Sequence, residues 1–152
     1  MNWQFIFFAV DGRIPRRLFW LGVGAIFFLQ LAVQVPTINL GQFDPDKGLA
    51  PLWFRNLSLL LDVVCAWPLF AVLSKRQQDR DQSSTLAFVF VTLVLLFSIV
   101  EAFGLTQEGP EFTAVGWVLG LPLLGVLAVV LVELGLRPGT KGTNTYGLDP
   151  LR

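Results

Sequence analysis

The sequence predicts an all-α membrane protein with four transmembrane helices in one bundle. Three observations predict this fold: four apolar stretches between Leu18 and Leu136, basic residues concentrated on one side of them, and a low charged fraction. Charged residues make up 14% of the chain and hydrophobic residues 54%, whereas soluble domains carry about 25% charged residues. We therefore interpret residues 1–152 as a single four-helix transmembrane domain.

The first and fourth stretches contain no charged residue. Leu18–Val35 and Phe112–Val132 each approach the roughly 20 residues that a helix needs to cross about 30 Å of hydrocarbon. The second stretch contains Asp62, which costs roughly 2.5–3.5 kcal/mol at mid-helix, but its Leu, Val and Phe residues return about 0.3–0.6 kcal/mol each. The sum favours insertion, and the predicted spans are about 18–36, 54–73, 85–105 and 112–136.

The distribution of basic residues predicts the orientation. Only Lys47 and Arg55 lie on one side of the spans, and every other cation lies on the other side. Because Lys and Arg concentrate in cytoplasmic loops, both termini and the middle loop are predicted to be cytoplasmic, with the loops at Pro36–Pro51 and Thr106–Glu111 outside. The basic side carries Arg13, Arg16, Arg17, Lys75, Arg76, Arg80, Arg137, Lys141 and Arg152.

The segment Met1–Val10 is apolar and aromatic but too short to cross a membrane. Two interpretations are open: it lies in the membrane interface with its aromatic side chains at headgroup level, or it packs against the end of the bundle. The apolar run after Arg17 is longer than the hydrophobic region of a typical secretory signal, and no small-residue cleavage site closes it. We expect it to remain as the first span.

The composition also argues against several kinds of chemistry. The chain has no histidine, which is the commonest general base and metal ligand, and its one cysteine, Cys65, lies within the second span. No phosphate-binding loop or nucleophile motif is present. We expect no enzyme activity, no cofactor and no metal site, and the zero net charge gives no reason to expect a nucleic-acid partner.

A polar stripe in the second span is one candidate site. Arg55, Ser58, Asp62 and Cys65 follow at intervals of three, four and three, which places them on one face of a helix. An ionisable group at this depth is typical of proton relays and ion paths. The alternative is a structural Asp62, protonated or hydrogen-bonded to a polar group on another span. The natural partners are Gln30 and Gln34, one turn apart on the first span.

Other features of the fourth span predict packing. Gly116 and Gly120 form a small-xxx-small pair that allows close helix approach, and Pro122 is a potential kink. Glu133 lies four residues before Arg137, the favourable order for a helical ion pair.

Three polar segments on the predicted cytoplasmic side form the second candidate site. They are Gly12-Arg13-Ile14-Pro15-Arg16-Arg17 leading into Phe19-Trp20, then Lys75-Arg76-Gln77-Gln78-Asp79, and finally the tail from Gly142 to Pro150. Together they resemble the domain of unknown function 805 family of small bacterial inner-membrane proteins. That family typically shows Gly-Arg-x-x-Arg-x-x-[aromatic]-Trp, basic-Arg-Leu-His-Asp, and Gly-x-Asn-x-Tyr-Gly-x-Asp-Pro.

The resemblance covers nearly the whole chain, with one departure: Gln77-Gln78 replaces Leu-His in the second motif. It implies a location in the bacterial inner membrane but no established activity. The matching residues are Gly12, Arg13, Arg16, Phe19, Trp20, Arg76, Asp79, Gly142, Asn144, Tyr146, Gly147, Asp149 and Pro150.

Two roles for these segments stay open. In the first, the cations expected at headgroup level pair with Asp79 and Asp149 and form a latch between the termini and the middle loop. In the second, the same cations line a pocket for an anionic headgroup or a phosphorylated ligand. These cations are Arg13, Arg16, Lys75 and Arg76. The predicted function is a non-enzymatic scaffold or accessory protein whose basic cytoplasmic face contacts lipid headgroups or a membrane partner. The expected partners are membrane lipids, anionic headgroups among them, or a membrane-protein partner or a second copy. The alternative is a small transporter or channel component using Asp62.

Overall fold

A computed structural model describes residues 2–37, 52–108 and 111–150. The described chain is mostly helical, which confirms the predicted fold class. Its elements, in order, are α1 Trp3–Phe7, α2 Arg16–Thr37, α3 Leu52–Gln78, α4 Thr85–Ala102, β1 Gln107–Glu108, β2 Glu111–Phe112 and α5 Ala114–Val130, which continues into a π-helix at Leu131–Leu136. The predicted outer loop at Pro36–Pro51 lies largely outside the described residues.

Four helices are each long and apolar enough to cross a membrane: α2, α3, α4, and α5 together with the π-helix. Between 11% and 28% of the residues in each span are buried within the protein, so most of their apolar surface faces outward. That is the pattern of helices surrounded by lipid, where apolar side chains lose nothing by exposure. α5 remains helical through Pro122.

The helix that contains the second predicted span continues beyond residue 73, near which that span was predicted to end. α3 runs to Gln78, and the basic segment expected at headgroup level is helical and buried. A cation is buried only where acceptors surround it, and those acceptors come from segments distant in sequence. Helical periodicity within the segment carries no information about them.

The hydrophobic core is concentrated at one end of the bundle. At this end α2 and α4 begin, α3 and the π-helix end, and α1 and the C-terminal tail lie against them; we call it the basic end and the other the distal end. The buried cluster consists of Ile6, Ile14, Phe19, Val72, Leu73, Ala87, Phe90, Val91, Val130 and Leu134. The basic end is therefore packed like a soluble core.

Gly22, and not the predicted pair of Gly116 and Gly120, lies where two helices approach closely. A Cβ atom at Gly22 of α2 would lie 3.0 Å from a Val72 methyl group, so α2 and α3 meet closely there. Gly116, predicted to allow close approach of two helices, instead faces the Thr106 carbonyl in the connection before α5, and a Cβ at Gly120 would meet only the Phe97 ring, at 3.7 Å. The close helix contact is made by a glycine that the sequence did not single out.

The N-terminal segment packs against the end of the bundle, which is one of the two interpretations offered for it. α1 buries Ile6, which is 2% exposed, against the core, while Trp3 and Phe8 are 51% and 64% exposed. One face of α1 is thus packed on the bundle end, and aromatic side chains are exposed beside it; a position of these side chains at headgroup level stays a prediction.

Candidate functional site

A continuous run of polar side chains is buried at the basic end, where α3 terminates. Each is at most 3% exposed: Lys75, Arg76, Gln77, Gln78 and Asp79. Buried ionised groups are costly unless each finds a partner, so their contacts define what this end of the protein does.

Asp79 holds two arginines. Its Oδ1 accepts from Nε of Arg13 at 3.1 Å, and its Oδ2 accepts from Nη1 of Arg76. The three side chains are between 1% and 5% exposed. The charged oxygens of Asp79 are thus shared between the segment before α2 and the end of α3, and the trio keeps a net positive charge that carbonyl oxygens must stabilise.

Arg13 directs its remaining donors to the C-terminal tail. Its Nη1 donates to the Gly142 and Gly147 carbonyls at 2.7 and 3.2 Å, and its Nη2 donates to the Thr140 carbonyl at 2.6 Å. A guanidinium fork suits several acceptors at once. One side chain therefore joins residues more than 120 positions apart in the sequence.

Arg76 directs its donors to the end of the last span. Its Nε donates to the Leu134 carbonyl at 2.8 Å and its Nη2 to the Arg137 carbonyl at 2.5 Å. The final carbonyls of a helix lack intrahelical donors and carry partial negative charge, which cations stabilise.

Neighbouring carbonyls of the π-helix receive donors from three further side chains. Arg80 Nη1 donates to Glu133 at 3.0 Å, Trp20 Nε1 to Gly135 at 3.2 Å, and Arg16 Nη1 to Leu136 at 3.0 Å. Glu133 also forms the predicted ion pair with Arg137, at 2.8 Å, and a second one with Arg80. The π-helical turn is thus capped by α2 and by the end of α3.

The tail residues named by the third motif build the turn that receives Arg13. Asn144 Nδ2 donates to the Gln78 carbonyl at 2.8 Å and its Oδ1 accepts from the Tyr146 backbone N–H at 2.9 Å. Gly147 has φ +132°, a conformation that other residues rarely adopt. Asp149 Oδ2 accepts from the Gly142 N–H at 3.0 Å.

The two glutamines that depart from the family motif, Gln77 and Gln78, hydrogen-bond to the backbone of neighbouring segments. Gln78 Oε1 accepts from the backbone N–H of Gly12 at 2.9 Å. Gln77 Oε1 accepts from the Ala87 N–H, and its Nε2 donates to the Ser83 carbonyl, both at 2.8 Å, which fixes the turn between α3 and α4.

Lys75 makes the contact that the sequence reasoning missed. Its Nζ donates to the carbonyls of Phe5, Ile6 and Ala9 at distances between 2.5 and 2.7 Å, and it lies 5.0 Å from the centre of the Phe5 ring. The ammonium group thus caps the C-terminal end of α1. The one hint in the sequence was the lack of any basic residue in α1 itself to take that role.

The intramembrane candidates form a smaller cluster. Asp62 accepts from Gln30 Nε2 at 2.8 Å and from Ser98 Oγ at 2.5 Å, so one carboxylate joins α3 to α2 and α4. Gln30, one of the two predicted partners, donates the first of these bonds. Ser98 was not singled out from the sequence.

The rest of the predicted stripe lies along the same helix without joining the Asp62 bonds. Ser58 and Arg55 are half-buried, and Nε and Nη1 of Arg55 have no hydrogen-bond partner among the described residues. Arg55 and Asp62 are both within electrostatic range of Glu101 on α4. Cys65 is buried and has a free thiol.

Comparison with known proteins supports the resemblance drawn from the three motifs. The family described as "Protein of unknown function (DUF805)" matches residues 7–148. The chain belongs to the DUF805 family. It is 30% identical over 146 residues to the "Uncharacterized protein YiiR" of Escherichia coli strain K12, covering 93% of this chain and 86% of the relative, and the O157:H7 protein of that name matches equally. No solved structure matches.

The DUF805 match spans both candidate clusters but supplies no activity for either. Among the described residues, no group of three His, Cys, Asp or Glu side chains lies close enough together to hold a metal ion. The structure divides the charged residues of the family motifs into two groups. Arg13, Arg76 and Asp79 are buried, whereas Arg16 is exposed at the surface of the basic end.

Proposed function

We propose that this chain is a non-enzymatic scaffold or accessory protein of the bacterial inner membrane, with both termini in the cytoplasm and a rigid basic end that contacts anionic headgroups and a membrane partner. One observation carries the proposal. Arg13 and Arg76 use Nε, Nη1 and Nη2 on internal acceptors, while Arg16, Arg17 and Lys141 remain exposed around them.

The inward arginines support the latch rather than an open pocket built from the same residues. A guanidinium buried on a carboxylate and backbone carbonyls cannot also take up a ligand without losing those bonds. Ordering the N-terminal segment, the end of α3 and the tail in one network gives a preformed surface, and preformed surfaces bind with a lower entropic cost.

The exposed cations support contact with anionic lipid. Each Lys or Arg near an anionic leaflet contributes about 1 kcal/mol of attraction. Their placement at the start of α2 and just after the π-helix puts them at the depth of phosphate groups if the four apolar helices span the bilayer. The proposed orientation rests on the same bias of positive charge toward the cytoplasm.

A photo-crosslinking residue at Gln82 tests the partner. This position is exposed at the turn between α3 and α4, whereas residues Lys75–Asp79 just before the turn are buried. The matched control is the same probe at Leu105, exposed at the distal end. We expect one adduct of reproducible mass from Gln82 in intact cells and none of that mass from Leu105. Identical products from both positions would contradict a partner at the basic end.

Reporter fusions test the orientation. A reporter that is active only outside the cytoplasm should be inactive at both termini, and its activity at either terminus contradicts the proposed orientation.

The transport alternative requires Asp62 to exchange an ion or a proton, although its carboxylate is engaged by Gln30 and Ser98. Flux into vesicles reconstituted with wild-type protein and with Asp62→Asn decides that alternative, and an equal, leak-level signal from both removes it.

A further inference from the structure

A cavity of about 140 Å³ opens at the basic end, between the start of α2 and the C-terminal tail. Its walls include Pro15 and Arg16 on one side and Pro138, Thr140 and Lys141 on the other, with the Arg76–Asp79 pair behind. This space is of a size suited to a small polar group, and the Arg76–Asp79 pair of the latch forms part of its wall.

The charges around the cavity differ in how far they are already engaged. Asp79 is shared by Arg13 and Arg76, and Asp149 accepts from Gly142. Arg16 donates one hydrogen bond from Nη1 to the Leu136 carbonyl and has no other described partner. Lys141 is exposed and has no described partner. The free hydrogen-bonding capacity of the wall is therefore cationic.

The net charge points in the same direction. Arg16, Arg76 and Lys141 line the cavity with Arg13 directly behind, against the two carboxylates of Asp79 and Asp149. Arg16 is also the first residue of a 22-residue helix with no acidic residue in its first turn, so nothing there offsets the positive end of the helix dipole.

We propose that this cavity binds one phosphoryl group, with Arg16 and Lys141 as its ligands. The group comes either from an inner-leaflet phospholipid or from a soluble phosphate. Arg16 presents a fork of donors and Lys141 a point charge, a combination that suits phosphate oxygens. The proposal rests on the proposed function, because that places the basic end at an anionic membrane surface.

The test measures lipid retention by the full chain in nanodiscs containing zwitterionic lipid with a minor fraction of phosphatidylglycerol. The site variant is Arg16→Gln/Lys141→Gln. The matched control is Arg17→Gln/Arg137→Gln, which removes the same charge at the same end from residues outside the cavity and therefore weakens only the general attraction to the anionic leaflet. Native mass spectrometry counts the phosphatidylglycerol molecules retained after delipidation.

We expect one phosphatidylglycerol retained by the wild type and by the control. The site variant should need at least about a tenfold higher lipid concentration for half-occupancy than the control, because only the site variant loses the charge-assisted hydrogen bonds to the phosphoryl oxygens. Lys141→Gln alone, which breaks no described contact, should show part of the loss, so a misfolded double variant does not end the test. Added inorganic phosphate that binds the wild type and not the site variant supports the same site with a soluble source.

Equal retention by the site variant and the control overturns the cavity as a site while leaving general attraction to anionic headgroups intact. No preference for phosphatidylglycerol in any form, including wild type, overturns the proposed headgroup contact as well. The two failures are therefore distinguishable.

Discussion

Replacing Asp79 with asparagine removes the charge at the centre of the latch. The side chains of Arg13 and Arg76 stay in place with 2% and 1% exposure, and neither has a second carboxylate among its described bonds. Removing one member of a buried ion pair typically costs about 3–5 kcal/mol, because the remaining charge is left uncompensated. Asparagine retains one acceptor oxygen, so we expect a loss near the lower end of that range.

The assay is reversible unfolding of the detergent-solubilised protein, followed by circular dichroism as a denaturing detergent is titrated. Asp81→Asn is the matched control: it makes the same chemical change two residues later on an exposed side chain, and asparagine tolerates the positive φ of 59° found there. We expect the control to change the free energy of unfolding by less than about 0.5 kcal/mol.

A double-mutant cycle separates the ion pair from general damage. Introducing Asp79→Asn into an Arg13→Gln background should cost less than in the wild type, with a coupling energy in the range of roughly 0.5–3 kcal/mol. If Asp79→Asn is no more destabilising than Asp81→Asn, or if the cycle shows no coupling, the latch does not stabilise the protein and the reasoning fails.

Three further substitutions test other contacts. Lys75→Met leaves the carbonyls of Phe5, Ile6 and Ala9 without their donor. Hydrogen exchange of residues 3–9 should therefore accelerate by about tenfold or more, because loss of a buried charged donor costs about 1.5–3 kcal/mol, while Lys141→Met at an exposed position should change nothing there. Gly139→Ala would place a Cβ directly against the Asp79 carboxylate, whereas Gly125 has open space around it. We expect Gly139→Ala to lower the free energy of unfolding by about 1–3 kcal/mol and Gly125→Ala to change it little. Equal effects of the two substitutions would contradict the contact. Asp62→Ala removes the acceptor of Gln30 and Ser98 and should cost about 1–3 kcal/mol in the same unfolding assay, with Ser58→Ala as the neighbouring control.

The architecture was accessible from the sequence because a bilayer imposes simple requirements on length and polarity. Four uncharged or nearly uncharged stretches of helical length leave few alternatives, and the described helices match them. The pairing of Asp62 with Gln30 was accessible for the same reason: few polar side chains lie at that depth, and each needs a partner.

The basic end was only partly accessible. The motifs indicated which residues matter, but the acceptors of Arg13, Lys75 and Arg76 are mainly backbone carbonyls, which every residue possesses and no sequence pattern reveals. The π-helical end of the last span was missed because its stabilisation comes from side chains of other helices. Asp149 was expected to pair with a cation on the basic side; among the bonds described for it, Oδ2 accepts from a backbone N–H within the tail.

The bond from Arg13 to the Gly142 and Gly147 carbonyls has a consequence for biosynthesis. Arg13 precedes the four apolar helices in the sequence, and these two acceptors follow all of them, so the bonds form only after the four helices have been synthesised. Until then, water occupies the place of the missing carbonyl groups at Arg13, and the basic end is incompletely ordered. A product truncated before Gly142 would therefore lack these bonds, and its loosely packed hydrophilic surface would give cellular proteases a local signal for degradation.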